Sequence, residues 1–133
     1  MSAIHGSCLC GKVRYEISGK IELFTYCFCP RCQKASGSAH VANMRVSPDQ
    51  IKWNQGQENI ARYDLPEAER FAHGFCKTCG SPVPWATRNG LKIIVPAGSL
   101  DDDPEVKPTN IIYWDHRASW YIDPIDLEKT SLK

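Results

Sequence analysis

The sequence predicts a mainly β protein with few short helices, and three observations carry that expectation. Apolar and polar residues alternate over short runs such as Val13-Arg14-Tyr15-Glu16-Ile17, the period of a half-buried strand. Turn formers punctuate these runs at Gly19-Lys20, Asn54-Gln55-Gly56 and Arg88-Asn89-Gly90. Helical signals are confined to a few residues after Pro30 and to the proline-bearing turn Ser47-Pro48-Asp49-Gln50.

Taken in order, Cys8-Leu9-Cys10-Gly11 leads into a strand over residues 12–17, with Gly11 free to take the positive φ that a turn around a metal requires. Residues 21–28 are rich in aromatic and β-branched side chains and form a second strand, which delivers Cys27-Phe28-Cys29-Pro30-Arg31-Cys32 at its end. Pro30 fixes its own φ, residues 31–36 make about one or two helical turns, and Gly37 ends them. Residues 39–46 alternate irregularly. Residues 51–53 and 59–64 flank a turn as strands, and 65–69 read as an exposed connection. Residues 70–75 run as a strand into Cys76-Lys77-Thr78-Cys79-Gly80. The prolines at 82 and 84 suit an edge or irregular strand. Residues 91–95 and 109–114 are further strands, separated by an acidic loop around Asp101-Asp102-Asp103.

At 133 residues the chain is one domain's worth, residues 1–133, with no repeat or linker. A net charge of +1 implies no polyanionic partner, so nucleic acid is not expected. The start lacks the basic head and apolar run of a secretory signal, and no stretch approaches a membrane span, which makes a cytoplasmic location the default.

Seven cysteines, an odd number, disfavour a disulfide framework in a reducing compartment. Their spacing points to metal, since thiols two or three residues apart match the grip of tetrahedral zinc on a tight turn. They divide into four and three. The pairs Cys8/Cys10 and Cys76/Cys79 each supply half of a closed four-thiolate site, a structural staple with a formal charge of about −2 and no open position. Cys27, Cys29 and Cys32 leave zinc one ligand short. Three thiolates make that zinc a weak Lewis acid, so ionising water suits it less than holding an incoming thiol as thiolate for attack on an electrophilic carbon. A structural site completed by a distant His or Asp, and a metal-free redox pair Cys29-x-x-Cys32, remain open alternatives.

These motifs, Gly6-Ser7-Cys8-Leu9-Cys10-Gly11, Cys27-x-Cys29-x-x-Cys32 with Ser36-Gly37, and Phe75-Cys76-x-x-Cys79-Gly80-Ser81-Pro82, resemble the glutathione-dependent formaldehyde-activating enzyme family, also called the centromere protein V type domain. The resemblance spans about residues 5–121, including Ala97-Gly98-Ser99-Leu100-Asp101-Asp102 and Ala118-Ser119-Trp120. It implies two packed antiparallel sheets, a β-tent stapled by zinc. It also implies structural ligands at Cys8, Cys10, Cys76 and Cys79 and catalytic-zinc ligands at Cys27, Cys29 and Cys32. The implied activity is a carbon-sulfur lyase reaction in reverse, joining the thiol of glutathione to formaldehyde. The chain departs from the family pattern at Phe28, where a small or polar residue, often His, is usual, and at Asn110, where many members carry His. Neither departure removes a ligand, and both bear on the pocket lining and hence on the thiol or carbonyl it accepts.

Arg31 and Lys34 flank Cys32 and could bind the carboxylates of a thiol substrate, although a solvated face explains them as simply. His40, His73 and His116 are candidate proton carriers or a fourth ligand, each more simply structural. The four tryptophans read as core or pocket wall, and the acidic run as a solvated turn without the spaced ligands of a calcium loop. Two functions compete: a zinc enzyme joining a small thiol to a small carbonyl compound, and a non-catalytic zinc scaffold that binds protein or buffers metal. The second requires an apolar surface patch outside the pocket. Methionine sulfoxide reduction ranks below both, because no cysteine follows Cys79. A homo-oligomer is compatible with either.

Overall fold

The computed structural model describes residues 2–132. The chain is mainly β, as the alternation predicts. Its strands in order are β1 (Ile4–Ser7), β2 (Arg14–Ile17), β3 (Leu23–Cys27), β4 (Val41–Val46), β5 (Ile51–Gln55), β6 (Ile60–Asp64), β7 (Ala72–Cys76), β8 (Pro82–Val83), β9 (Trp85–Ala86), β10 (Ile93–Pro96) and β11 (Asn110–Ile112). The helix α1 (Pro30–Ser36) lies between β3 and β4, and single 3-10 turns punctuate the rest. Hydrogen bonding divides the described strands into three sheets where two were expected: β1-β2-β5, β11-β3-β4-β10-β9 and β6-β7-β8.

Two features of the chain depart from the expected pair of antiparallel sheets. Pro84 has no N–H to continue a ladder, so the segment after Cys79 breaks there into β8, which pairs with β7, and β9, which pairs with β10. Both pieces are edge strands, as the prolines predict. The second feature is that β11 pairs parallel with β3, Ile111 opposite Tyr26, where only antiparallel pairing was expected. The long loop after β10 gives the chain the length to cross back before pairing, which a tight hairpin turn cannot do.

The principal core lies between the first two sheets. Tyr15 and Ile17 of β2 pack with Met44 and Val46 of β4 and with Ile93 and Val95 of β10, and Trp53 closes one side. Burial pushes the Tyr15 hydroxyl up to about 12, and it is satisfied by Ser99 at 2.5 Å. A smaller core joins Cys8 and Val13 to Cys76 and Val83, so the first and last cysteine pairs are built into packed structure.

β1 is a strand that the alternation did not predict, since Ile4-His5-Gly6-Ser7 offers a single large apolar side chain. Tertiary contacts supply what propensity lacks. It pairs with β2, and the acidic run clips it from outside: Asp101 accepts from the Ser7 hydroxyl at 2.8 Å, and Asp102 accepts from the His5 N–H at 2.8 Å. The run is exposed, as expected of a solvated turn, and it also clamps β1. The last strand also ends early. Tyr113 takes a left-handed φ of 57°, and the turn Trp114–His116 swings the chain across the face of α1. Trp53 and Trp85 sit at core and cavity walls as expected, whereas Trp120 is 67% exposed. Among the described residues no helix is long and apolar enough to cross a membrane.

Candidate metal centre

Cys8 and Cys10 stand on the turn between β1 and β2, Cys76 ends β7, and Cys79 stands on the turn between β7 and β8. Folding brings their four sulfurs within 4.8 Å of one another, from positions 66 residues apart at the Cys10–Cys76 contact. The Cys8–Cys10 and Cys10–Cys76 separations are 3.6 and 3.8 Å. A tetrahedron with Zn–S bonds of about 2.3 Å has edges of about 3.8 Å, so the four thiols fit zinc.

Backbone geometry prepares this cage. Gly11 and Gly80 take φ of 80° and 74°, tightening each turn as Gly11 was expected to do. The Val13 N–H donates to the Cys8 sulfur at 3.3 Å, and the Thr78 N–H to the Cys76 sulfur at 3.4 Å. The Asn59 amide donates to Cys76 from outside the two turns. The Ser81 hydroxyl, followed by its N–H, holds the Cys79 thiol down to about 5. Each donor stabilises thiolate, the form that binds metal.

The central triplet is assembled differently. Cys27 ends β3, Cys29 caps α1 by accepting the Cys32 N–H at 3.2 Å, and Cys32 is buried in the first turn of the helix. Gly37, at φ 66°, terminates α1 as predicted. The three sulfurs lie within 4.8 Å of one another, and no His, Asp or Glu joins them among the described residues. The Cys32 thiol donates to the Cys27 sulfur at 3.3 Å. That bond brings Cys27 down to about 6 and pushes Cys32 upward. A compact, part-ionised set of soft donors fits zinc, with one coordination position left over.

The triplet itself borders open space. All three cysteines line a groove of about 720 Å3, together with Arg31, Arg70, Glu67, Glu69, Tyr113 and His116. Of the candidates named from sequence, Arg31 and His116 reach this groove, while Lys34 is exposed on α1 and outside its lining. His40 and His73 line a separate, smaller cavity that touches Cys32 alone among the cysteines. His40 is stacked between Tyr26 and Phe28, at ring distances of 4.5 and 4.7 Å, with its Nδ1 buried and unpartnered among the described residues.

Phe28 corrects an expectation. It lines none of the cavities described here; it is 1% exposed and packed edge-on to Trp114 and Tyr121 at 5.2 and 5.0 Å. The cause is local: residues adjacent on an extended backbone point to opposite faces, so Cys27 and Cys29 turn to the groove while Phe28 turns to the aromatic cluster. Asn110 is exposed on β11 and also lies outside the groove lining.

Several contributors had no signal in the sequence. Gln33 donates one amide to the carbonyls of Phe28 at 2.8 Å and His116 at 3.2 Å, tying the last turn of the chain to the triplet. The connection 65–69, read as exposed, buries Ala68 because Arg88 grips the carbonyls of Leu65 and Ala68. Glu67 and Glu69 are thereby drawn to the groove. Ser81, in contrast, was legible within the Cys-Gly-Ser-Pro motif.

The fold and these sites define a β-sheet protein with two cysteine clusters suited to metal, one closed by four thiols and one open at a groove. Residues 3–116 match the family described as "Glutathione-dependent formaldehyde-activating enzyme", and the chain belongs to that family. Its fold is also similar to a crystal structure of a Rhodobacter sphaeroides protein, with a TM-score of 0.60 over 80% of this chain and 98% of that one, at 22% identity.

Proposed function

We propose that the protein joins a small thiol to a small carbonyl compound, or splits their adduct, as a carbon-sulfur lyase of the S-hydroxymethylglutathione synthase kind. The observation that carries this reading is the contrast between the clusters: four sulfurs close one, while three leave the other incomplete on the wall of an open groove. On this reading Cys8, Cys10, Cys76 and Cys79 hold a structural zinc, and Cys27, Cys29 and Cys32 hold a second. Bound there, zinc supplies a soft site at which a substrate thiol is kept ionised.

The chain's own residues do the rest. Arg31 and Arg70 offer guanidinium groups to carboxylates, and Glu67 and Glu69 offer carboxylates to an ammonium. Glutathione carries two carboxylates and one ammonium, so the mixed lining suits it better than a simple alkyl thiol. His116 shares the groove lining and would exchange a proton with the oxygen of the adduct. Lys34, outside the groove, is left as part of the solvated face. Seven free thiols suit a reducing compartment such as the cytoplasm.

A non-catalytic scaffold is the second reading, and one observation favours it. Exposed apolar side chains concentrate late in the chain, and Trp120 at 67% and Ile125 at 78% are not part of the groove lining.

Metal analysis together with thiol and formaldehyde exchange, followed by NMR, separates the two. The proposal expects two zinc ions per wild-type chain, one in Cys32→Ser, and loss of catalysis in that variant while it stays folded. Equal exchange rates in both proteins would remove the triplet's catalytic role.

A further inference from the structure

The smaller cavity has no task in the reaction as described so far. Its volume is about 200 Å3, and it meets the groove at Cys32, Asn43, Phe71 and Trp85, which line both. Beyond that shared wall its lining is mostly apolar, including Ala35, Val41, Ala42, Ala72, Pro82 and Pro96. An apolar cavity of about 150 Å3 accommodates a benzene ring, and such spaces hold water poorly. A one-carbon carbonyl compound would therefore leave most of this space unfilled.

We propose that the cavity is a subsite for an apolar substituent on the carbonyl partner, so that the protein accepts aldehydes with side groups up to about the size of a phenyl ring. This rests on the thiol-carbonyl reading above. The aldehyde carbon would lie at the junction, its side group among the apolar walls, its oxygen within reach of the Asn43 amide on the shared wall. The thiol sulfur forms a bond to the carbonyl carbon, the C=O π pair moves to oxygen, and the thiol proton ends on that oxygen as a hydroxyl. The product is a hemithioacetal, and no further reactant is needed. Formaldehyde remains a substrate, but one that leaves the subsite unused.

Ala35 provides the test, because it lines the cavity from half-exposed α1, where leucine is a good helix former. Gly98 provides a second variant: it lines the cavity, and a Cβ there meets nothing within 4 Å. In the zinc-loaded protein, NMR exchange rates are measured for glutathione with formaldehyde, butanal and benzaldehyde, and binding of benzyl alcohol is followed by saturation transfer without thiol. Ala35→Leu or Gly98→Leu is expected to lower kcat/KM for butanal and benzaldehyde roughly tenfold or more, to leave formaldehyde within about twofold, and to abolish benzyl alcohol binding. Turnover of formaldehyde alone, with no benzyl alcohol bound, overturns the subsite and leaves the thiol-carbonyl reading standing. Absence of turnover with every aldehyde, formaldehyde included, removes both.

Discussion

The Ser81 hydroxyl lies 3.2 Å from the Cys79 sulfur, and the same oxygen accepts the Leu9 N–H at 3.0 Å. One side chain thus links the turn that carries Cys79 to the turn that carries Cys8 and Cys10. The link is made by protein atoms alone and ties the two halves of the closed cluster together.

Ser81→Ala removes an acceptor for a backbone N–H and a donor to a thiolate, and should cost about 1–2 kcal/mol. Thermal unfolding reads the stability, and zinc release to a chromogenic chelator reads the site. Release should quicken from one zinc only, that of the four-cysteine cluster. Unchanged release would show that the serine does not organise the cage.

Phe28→Ala should behave as a core truncation, destabilising by about 3–5 kcal/mol, because Phe28 is buried among Trp114, Tyr121 and His40. Phe28→Leu should recover most of the stability. In that folded variant the ranking of aldehydes by kcat/KM should match the wild type. A changed ranking would place Phe28 in substrate selection after all.

Gly6→Ala should destabilise β1 strongly. A Cβ at Gly6 would come within 2.2 Å of the Tyr15 ring, directly across the β1-β2 ladder. Overpacking of this kind costs about 1–3 kcal/mol even where neighbours yield, and here the neighbour is an aromatic ring fixed in the core. Urea unfolding of Gly6→Ala, Tyr15→Leu and the double variant checks the cause. The double variant should be more stable than the sum of the single losses predicts, and strict additivity would argue against a direct clash.

Asp102 gives the pH dependence a sign. The His5 N–H, and then the His5 ring, hold its carboxyl below its usual 3.8. A carboxyl depressed in the folded state adds stability above the unfolded value, roughly pH 4, and loses it as pH falls through the lower folded value. The stability advantage of wild type over Asp102→Asn should therefore be full near neutral pH and shrink below about pH 4. A difference that is flat with pH would show that the clamp on β1 does not depend on the charge.

Much of this protein was legible in one dimension because its signals are local. Alternation within a strand, proline at α1, glycine after it and thiols two or three residues apart depend on backbone geometry over a few residues. These determined the mainly β class, the helical turns over 31–36 and both cysteine groupings. The structure alone decided what lies around them. The parallel pairing of β11 with β3, the third sheet made where Pro84 breaks a strand, and the clamp of Asp101 and Asp102 on β1 join residues whose relation has no local spacing. Phe28 shows the difference most directly. Its place between two cysteines of the triplet suggested a pocket wall, yet the alternation of an extended backbone turns it into the aromatic cluster while both cysteines line the groove. Side-chain direction at one residue is local, but which face meets solvent and which meets packed rings is set by the segments that fold over it.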